Sequence, residues 1–218
     1  PIVTRELRQE RATPLTLALK RTVDLLLGPV LFVLTAPIVA ACALLVRAKS
    51  PGSAFFAQLR EGHGGRLIRV WKIRTMVHDA EELLTDHLRE SSTARQEWSE
   101  RAKLQSDPRV IPGLGAFLRR WSLDELPQLW NVVNGSMSLV GPRPFPGYLL
   151  AMFPESFRAL RREVPPGVTG LWQVTYRSDG DLSHQQAADS FYVHNWSLWL
   201  DVWILLRTVR VVFSGSGT

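Results

Sequence analysis

The sequence predicts an α+β protein, mainly helical: a re-entrant membrane helix hairpin, a small β-hairpin and amphipathic interfacial helices around a compact domain. Three observations carry this expectation. Residues 25–46 contain no charged side chain. Two β-rich runs, 54–59 and 66–73, are separated by the turn Glu61-Gly62-His63-Gly64-Gly65. Near the C-terminus, Trp196, Trp199 and Trp203 are spaced three and four apart, which puts them on one face of a helix.

The totals set the bounds. A chain of 218 residues fits one domain, or one domain plus a membrane element. The net charge of +6 suits anionic partners: a nucleotide, a phospholipid, a lipid phosphate or nucleic acid. Cys42 is the only cysteine, which excludes an intramolecular disulfide and a cysteine-based zinc site and fits a reducing compartment. The five histidines show no metal-ligand spacing. A first residue of Pro1 rather than Met agrees with a longer parent protein.

Taken in order, residues 1–19 read as a polar linker or short helix. The uncharged stretch 25–46, if helical, would be about 30 Å long, enough to cross a bilayer core. Lys20 and Arg21 precede it, and Arg47 and Lys49 follow it. Positive charge on both flanks favours both ends on the cytoplasmic side, which a hairpin satisfies and a straight span does not. Pro37 can supply the break, since it removes a helix hydrogen bond; Pro29 adds a second perturbation. A Pro-kinked transmembrane span is the competing reading. Asp24, three residues after Arg21, can pair with it on a helix or simply favour a helix start.

Ser50-Pro51-Gly52-Ser53 is a turn. In the β-hairpin after it, Arg60, Lys72 and Arg74 are placed to face a phosphate, or else to form a solvated basic edge. Residues 79–104 read as a helix with an acidic first turn, interrupted at Ser91-Ser92. Residues 148–163 read as one helix. The stretch 165–174 reads as a turn and an extended piece, and Arg177 and Asp179 lie in a polar loop. The Trp-bearing tail, 196–213, carries Arg207 and Arg210. It reads either as core packing or as an interfacial helix whose arginines meet lipid phosphates.

The chemistry concentrates in residues 119–144, where Asp124 and Glu125 stand between Arg119-Arg120 and the Arg143 of a Gly-Pro-Arg-Pro turn. Carboxylates can attack phosphorus or hold a metal, and guanidinium groups hold phosphoryl oxygens. Ser122-Leu123-Asp124-Glu125 also has the form of a helix capping box. In that case Asp124 and Glu125 occupy the second and third helical positions, where the dipole favours ionised carboxylates and bound phosphate. Mg²⁺ is the expected metal, because the donors are oxygens and the expected substrate is a diphosphate.

Six stretches, in order, resemble the small monotopic phosphoglycosyl transferases, the bacterial sugar transferase family. They are K-R-T-V-D (20–24), Q-L-R-E-G (58–62), W-K-I-R-T-M (71–76), S-L-D-E-L-P-Q-L-W-N-V (122–132), M-S-L-V-G-P-R-P (137–144) and P-G-V-T-G-L-W-Q-V (166–174). The insert around residues 96–109 is similar to that of the undecaprenyl-phosphate galactose/glucose phosphotransferase branch.

The resemblance implies transfer of a sugar-1-phosphate from a UDP-sugar to polyprenyl phosphate, with release of UMP, at the cytoplasmic face of the bacterial inner membrane. It implies Asp124 as the nucleophile that becomes covalently phospho-glycosylated. Glu125 would hold Mg²⁺ with Asp124 or assist proton transfer. Arg120, Arg143 and Arg177 would surround the nucleotide and phosphates, with Lys72 and Arg60 as further candidates. It also implies a re-entrant helix over 20–49 and a cytosolic-face catalytic domain with interfacial helices over 50–218. The family's helix breaks at Ser-Pro; here the pair is Ala36-Pro37, so Pro37 alone carries the expected break. Tyr176 stands where the family has Gly before the arginine. Membrane phospholipid is the expected environment, and a homodimer is left open beside a monomer. Two other readings stay on the table: a non-catalytic membrane scaffold for polysaccharide assembly, and a nucleic-acid binder. The intact acid pair argues against the first, and the lack of any nucleic-acid motif against the second.

Overall fold

The computed structural model describes residues 14–101, 104, 106–176 and 182–214. Arg177 and Asp179 lie outside the described residues, as does the segment before Pro14.

Helix α1 (Pro14–Lys49) is 36 residues long, with Pro29 and Pro37 inside it and not at an end. Residues 14–19 are its first turns. It is long and apolar enough to cross a membrane, and only 17% of its most apolar window is buried. Its middle shows apolar side chains to the outside, among them Val30, Val33, Leu34 and Ile38.

The start of α1 is held to the rest of the molecule by charge. Lys20 and Asp24 are only 3% and 4% exposed, so they are neither membrane-flanking charges nor an interfacial pair with Arg21. Lys20 Nζ donates to Asp201 (2.5 Å) and to the Tyr192 hydroxyl (3.2 Å). Arg21 donates to the carbonyls of Val132 (2.7 Å) and Val133 (3.1 Å). Asp24 accepts from the Leu139 amide (2.8 Å) and the Ser138 hydroxyl (3.0 Å). Positions i, i+1 and i+4 of one helix thus reach three separate parts of the fold. At Gly28 the Val132 side chain packs so close that a Cβ would meet its Cγ1 at 2.9 Å.

Strands β1 (Phe55–Glu61) and β2 (Leu67–Ile73) form the expected antiparallel hairpin, with Phe55 opposite Ile73 and Phe56 opposite Lys72. Gly64 and Gly65 take φ of 64° and 77° in its turn, a region that costs other residues about 1 kcal/mol. Helices α2 (Ala80–Glu90) and α3 (Ser92–Arg101) are divided where Ser91 Oγ accepts from the Ala94 amide at 3.1 Å.

Then come α4 (Leu114–Arg120), a 3₁₀ turn (Leu123–Glu125), α5 (Gln128–Val133) and β3 (Ser138–Val140). Arg21 therefore satisfies carbonyls in the last turn of α5, a place where cations are favoured. The single helix expected over 148–163 is two, α6 (Gly147–Leu150) and α7 (Glu155–Arg161), because Pro154 has no N–H to continue the ladder. The extended piece expected over 167–174 is strand only in β4 (Gly167–Thr169); Leu171–Thr175 is helix α8. β4 pairs parallel with β3, Ser138 with Gly167 and Val140 with Thr169.

Helices α9 (Leu182–His194) and α10 (Leu198–Phe213) are the last elements among the described residues. The expected Trp stripe is divided. Trp196 precedes α10, packs on the main core and donates from Nε1 to Asp201 at 3.1 Å. Trp199 is 82% exposed, and Trp203, Leu206 and Phe213 are exposed as well.

The main core joins Val70, Val132, Met137, Val140, Tyr192 and Ile204. A second cluster puts Cys42 and Val46, near the far end of α1, against Ala54, Ile73, Ile111 and Leu118. Both ends of α1 therefore rest on the same body.

Candidate functional site

The acid pair sits on a sharp reversal. After α4 the chain turns at Ser122, which has φ 55° and is the one non-glycine at positive φ among the described residues. The Ser122 side chain makes no capping hydrogen bond to the turn it precedes. The expected capping box is absent, because a left-handed Ser122 cannot present its hydroxyl to the amides ahead of it as an extended cap residue does. The helix is also only the 3₁₀ turn Leu123–Glu125, closed by the Leu126 amide on the Leu123 carbonyl at 3.3 Å. One such turn supplies little dipole, so the charges around the pair come from side chains.

Four of those charges converge. Lys72, on β2, donates to Glu125 Oε1 at 2.7 Å and lies 3.5 Å from Asp124 Oδ2. Arg143 grips Glu125 with both terminal nitrogens, Nη2 to Oε1 at 2.6 Å and Nη1 to Oε2 at 3.2 Å. Arg119 donates from Nε to Thr75 Oγ1 at 3.0 Å and feels the charge of Asp124. Arg60 donates to the Pro144 carbonyl at 2.7 Å.

The two carboxylates end up in opposite conditions. Burial alone would push Glu125 up, but Arg143 and Lys72 hold its carboxyl well below the usual carboxylate range. Asp124 is 7% exposed. Burial pushes its carboxyl up, Lys72 pulls it back, and the neighbouring Glu125 charge pushes it up again. Glu125 accepts three hydrogen bonds, two on Oε1 and one on Oε2. Asp124 has its nearest cation at 3.5 Å and accepts no hydrogen bond among the described residues.

Of the residues singled out in the sequence, Asp124, Glu125, Lys72 and Arg143 come together. Arg60 is close but occupied: burial and the Arg143 guanidinium push it down to about 10, and it serves the backbone of the Arg143 turn. Arg120 is exposed at the end of α4, while Arg119 faces the pair. Adjacent residues on a helix point about 100° apart, so sequence order could not choose between them. Arg74 turns away to the Ser50 carbonyl at 2.8 Å. Arg177 is outside the described residues. Thr75, which orients Arg119, was signalled only by lying in the W-K-I-R-T-M stretch.

A divalent metal fits this donor set in one way. The described residues hold no group of three or more His, Cys, Asp or Glu able to cage an ion. Mg²⁺ does not require a cage: it keeps several waters and is bound through one or two carboxylates together with substrate phosphates. Asp124, with uncommitted oxygens, would supply one such carboxylate, and Glu125 a second through Oε2, which accepts a single bond.

The chain matches the family model described as bacterial sugar transferase over residues 15–215. It is similar to the UDP-galactose-lipid carrier transferase of Erwinia amylovora, 42% identical over 91% of this chain and 41% of that protein. It is also similar to the undecaprenyl-phosphate galactose phosphotransferase of Salmonella typhimurium, 40% identical over 91% of this chain and 41% of that protein. A third relative is the exopolysaccharide production protein ExoY of Rhizobium meliloti, 39% identical over 91% of this chain and 87% of that protein. The chain thus spans less than half the length of the first two and most of the third.

Proposed function

The chain belongs to the bacterial sugar transferase family, and we propose that it moves a sugar-1-phosphate from a UDP-sugar to undecaprenyl phosphate, releasing UMP. The product, an undecaprenyl-diphosphate-sugar, would begin a bacterial glycan such as O-antigen, capsule or exopolysaccharide. The names of the Erwinia and Salmonella relatives support the substrates. The observation that carries the chemistry is the division of labour in the acid pair: cations are spent on Glu125 and leave Asp124 open.

In this reading an Asp124 oxygen attacks the phosphorus that bears the sugar. The anhydride P–O bond breaks, its electron pair leaves on UMP, and an aspartyl phospho-sugar forms. An oxygen of the lipid phosphate then attacks the same phosphorus. The Asp124–phosphorus bond breaks, which restores the carboxylate and yields the lipid diphosphate sugar. Glu125 is held ionised, which suits a group that orders Lys72 and Arg143 and not one that shuttles a proton. Lys72, Arg143 and Arg119 are placed to hold phosphoryl oxygens. Asp124 and Glu125 would hold Mg²⁺, which when bound neutralises charge on the diphosphate.

The same reading puts α1 into the cytoplasmic membrane as a re-entrant element, with the catalytic body and α10 at its cytoplasmic surface. Support comes from Gly28 and Val46, which contact one body from either side of Pro37. Contacts on both sides of Pro37 suit a helix that returns to the side from which it entered. The exposed Trp199, Trp203, Leu206 and Phe213 suit an interface of headgroups and acyl chains.

The test is labelled UDP-galactose with undecaprenyl phosphate and Mg²⁺, followed by a panel of other UDP-sugars. UMP release with a lipid-linked sugar phosphate is expected. No UMP from any donor on the panel would sink the reading.

A further inference from the structure

The segment that carries Arg143 is held by its backbone at every step. Its prolines, Pro142, Pro144 and Pro146, have no N–H to offer, so the carbonyls must do the anchoring. The Pro142 carbonyl accepts from the Gly167 amide (3.0 Å), and the Phe145 carbonyl from the Glu61 amide (3.2 Å). The Pro144 carbonyl accepts from Arg60 (2.7 Å). The Arg143 carbonyl itself accepts from Nη2 of Arg161, on α7.

Arg161 is 8% exposed. Its guanidinium stacks on the ring of Phe145, 3.7 Å from the centroid, so it touches the turn twice, at residues 143 and 145. From behind, Asp189 of α9 faces it, with Oδ2 3.4 Å from Nε. Nε and Nη1 make no hydrogen bond among the described residues. As a structural staple this is a poor arrangement: a buried, under-bonded ion pair stabilises a fold less than apolar residues of the same volume would. What the charge does achieve is to fix one carbonyl and one ring of the Arg143 turn.

We infer that Arg161, backed by Asp189, is a positioning residue for Arg143, acting through the Arg143 carbonyl and the Phe145 ring to aim the guanidinium at Glu125 and the substrate phosphates. This rests on the transferase reading for its catalytic consequence but not for its structural one.

Two readouts test it on the whole chain in detergent. The first follows the Arg143 side-chain Nε–Hε signal in ¹⁵N-arginine-labelled protein, assigned with Arg143→Lys. Arg161→Gln should shift or broaden that signal, and Arg158→Lys, on the same helix, should not. An unchanged Arg143 signal in Arg161→Gln overturns the inference. The second is UMP release from UDP-galactose. Arg161→Gln and Arg143→Lys should each lower kcat by about 10- to 100-fold with smaller changes in KM. Arg161→Lys should recover part of the loss. The double variant should be no slower than the slower single one, since both act on one group; losses that multiply overturn it. Should wild type release no UMP, the transferase reading fails, and the Arg143 signal still decides the positioning role. If Arg161→Gln does not fold, Asp189→Asn, which keeps Arg161 and removes its counter-charge, takes its place in both measurements.

Discussion

Arg143 and Glu125 form a two-point ion pair, 2.6 and 3.2 Å, and Lys72 adds a third bond to the same carboxylate at 2.7 Å. This one relationship separates the two acids. It commits Glu125 to organising cations and leaves Asp124 as the carboxylate with oxygens to spare. The consequences for stability and for turnover run in opposite directions.

Asp124→Asn should abolish UMP release and any covalent phospho-sugar adduct while making the fold more stable, by about 1 kcal/mol. It removes a buried charge that has no hydrogen bond to lose. Glu125→Gln should lower stability by about 2 kcal/mol, because Lys72 and Arg143 then lose the carboxylate they bond and share only the Asp124 charge. Thermal unfolding in one detergent compares them; equal shifts in the same direction would contradict the division of roles.

Arg119→Gln should slow turnover more than Arg120→Gln, by roughly tenfold, since Arg119 is the one whose charge reaches Asp124. Thr75→Val should reproduce part of the Arg119 effect by removing the hydroxyl that orients it. Steady-state rates with saturating donor check both. A larger defect in Arg120→Gln would restore the arginine that the family resemblance favoured.

The charges at the start of α1 should behave as buried staples. Asp24→Ala leaves the Leu139 amide buried without an acceptor and should cost about 1–3 kcal/mol. Lys20→Met leaves Asp201 without its cation and should cost about 3–5 kcal/mol. Losses within about 0.5 kcal/mol, as for surface charges, would show that α1 is not held this way.

Asp189 makes stability depend on pH. Burial pushes its carboxyl up to about 6, with Arg161 pulling it back, against an ordinary value of 3.8. The folded state therefore binds the proton more tightly than the unfolded one. The contribution of this group is most favourable below about pH 4 and is lost as pH rises through 6, by about 3 kcal/mol in all. Asp189→Asn should flatten that part of the stability–pH curve. An unchanged slope between pH 4 and 6 would count against the shift.

Topology has a direct measurement. In a Cys42→Ala background, Leu15→Cys and Ser53→Cys lie at exposed positions on either side of the long apolar stretch. Both should react with a membrane-impermeant thiol reagent from the cytoplasmic side of inside-out vesicles. Labelling from opposite sides would rule out the re-entrant arrangement.

The acid pair, the β-hairpin, the split at Ser91 and the long apolar helix were all readable along the chain, because each is encoded locally. Adjacent carboxylates, a Gly-rich turn between apolar runs and an uncharged stretch need no partner to be recognised. Facing is another matter. Whether Arg119 or Arg120 meets Asp124 turns on one 100° step of a helix. Whether Trp196 joins a lipid-facing stripe or the core depends on Asp201, and whether Lys20 flanks a membrane or is buried depends on that same aspartate. Ser122 could have capped a helix, but its left-handed backbone leaves a single 3₁₀ turn and hands the electrostatics to Lys72 and Arg143. Those outcomes belong to the tertiary structure, because a buried charge takes whatever partner the packed chain brings to it, however distant in sequence.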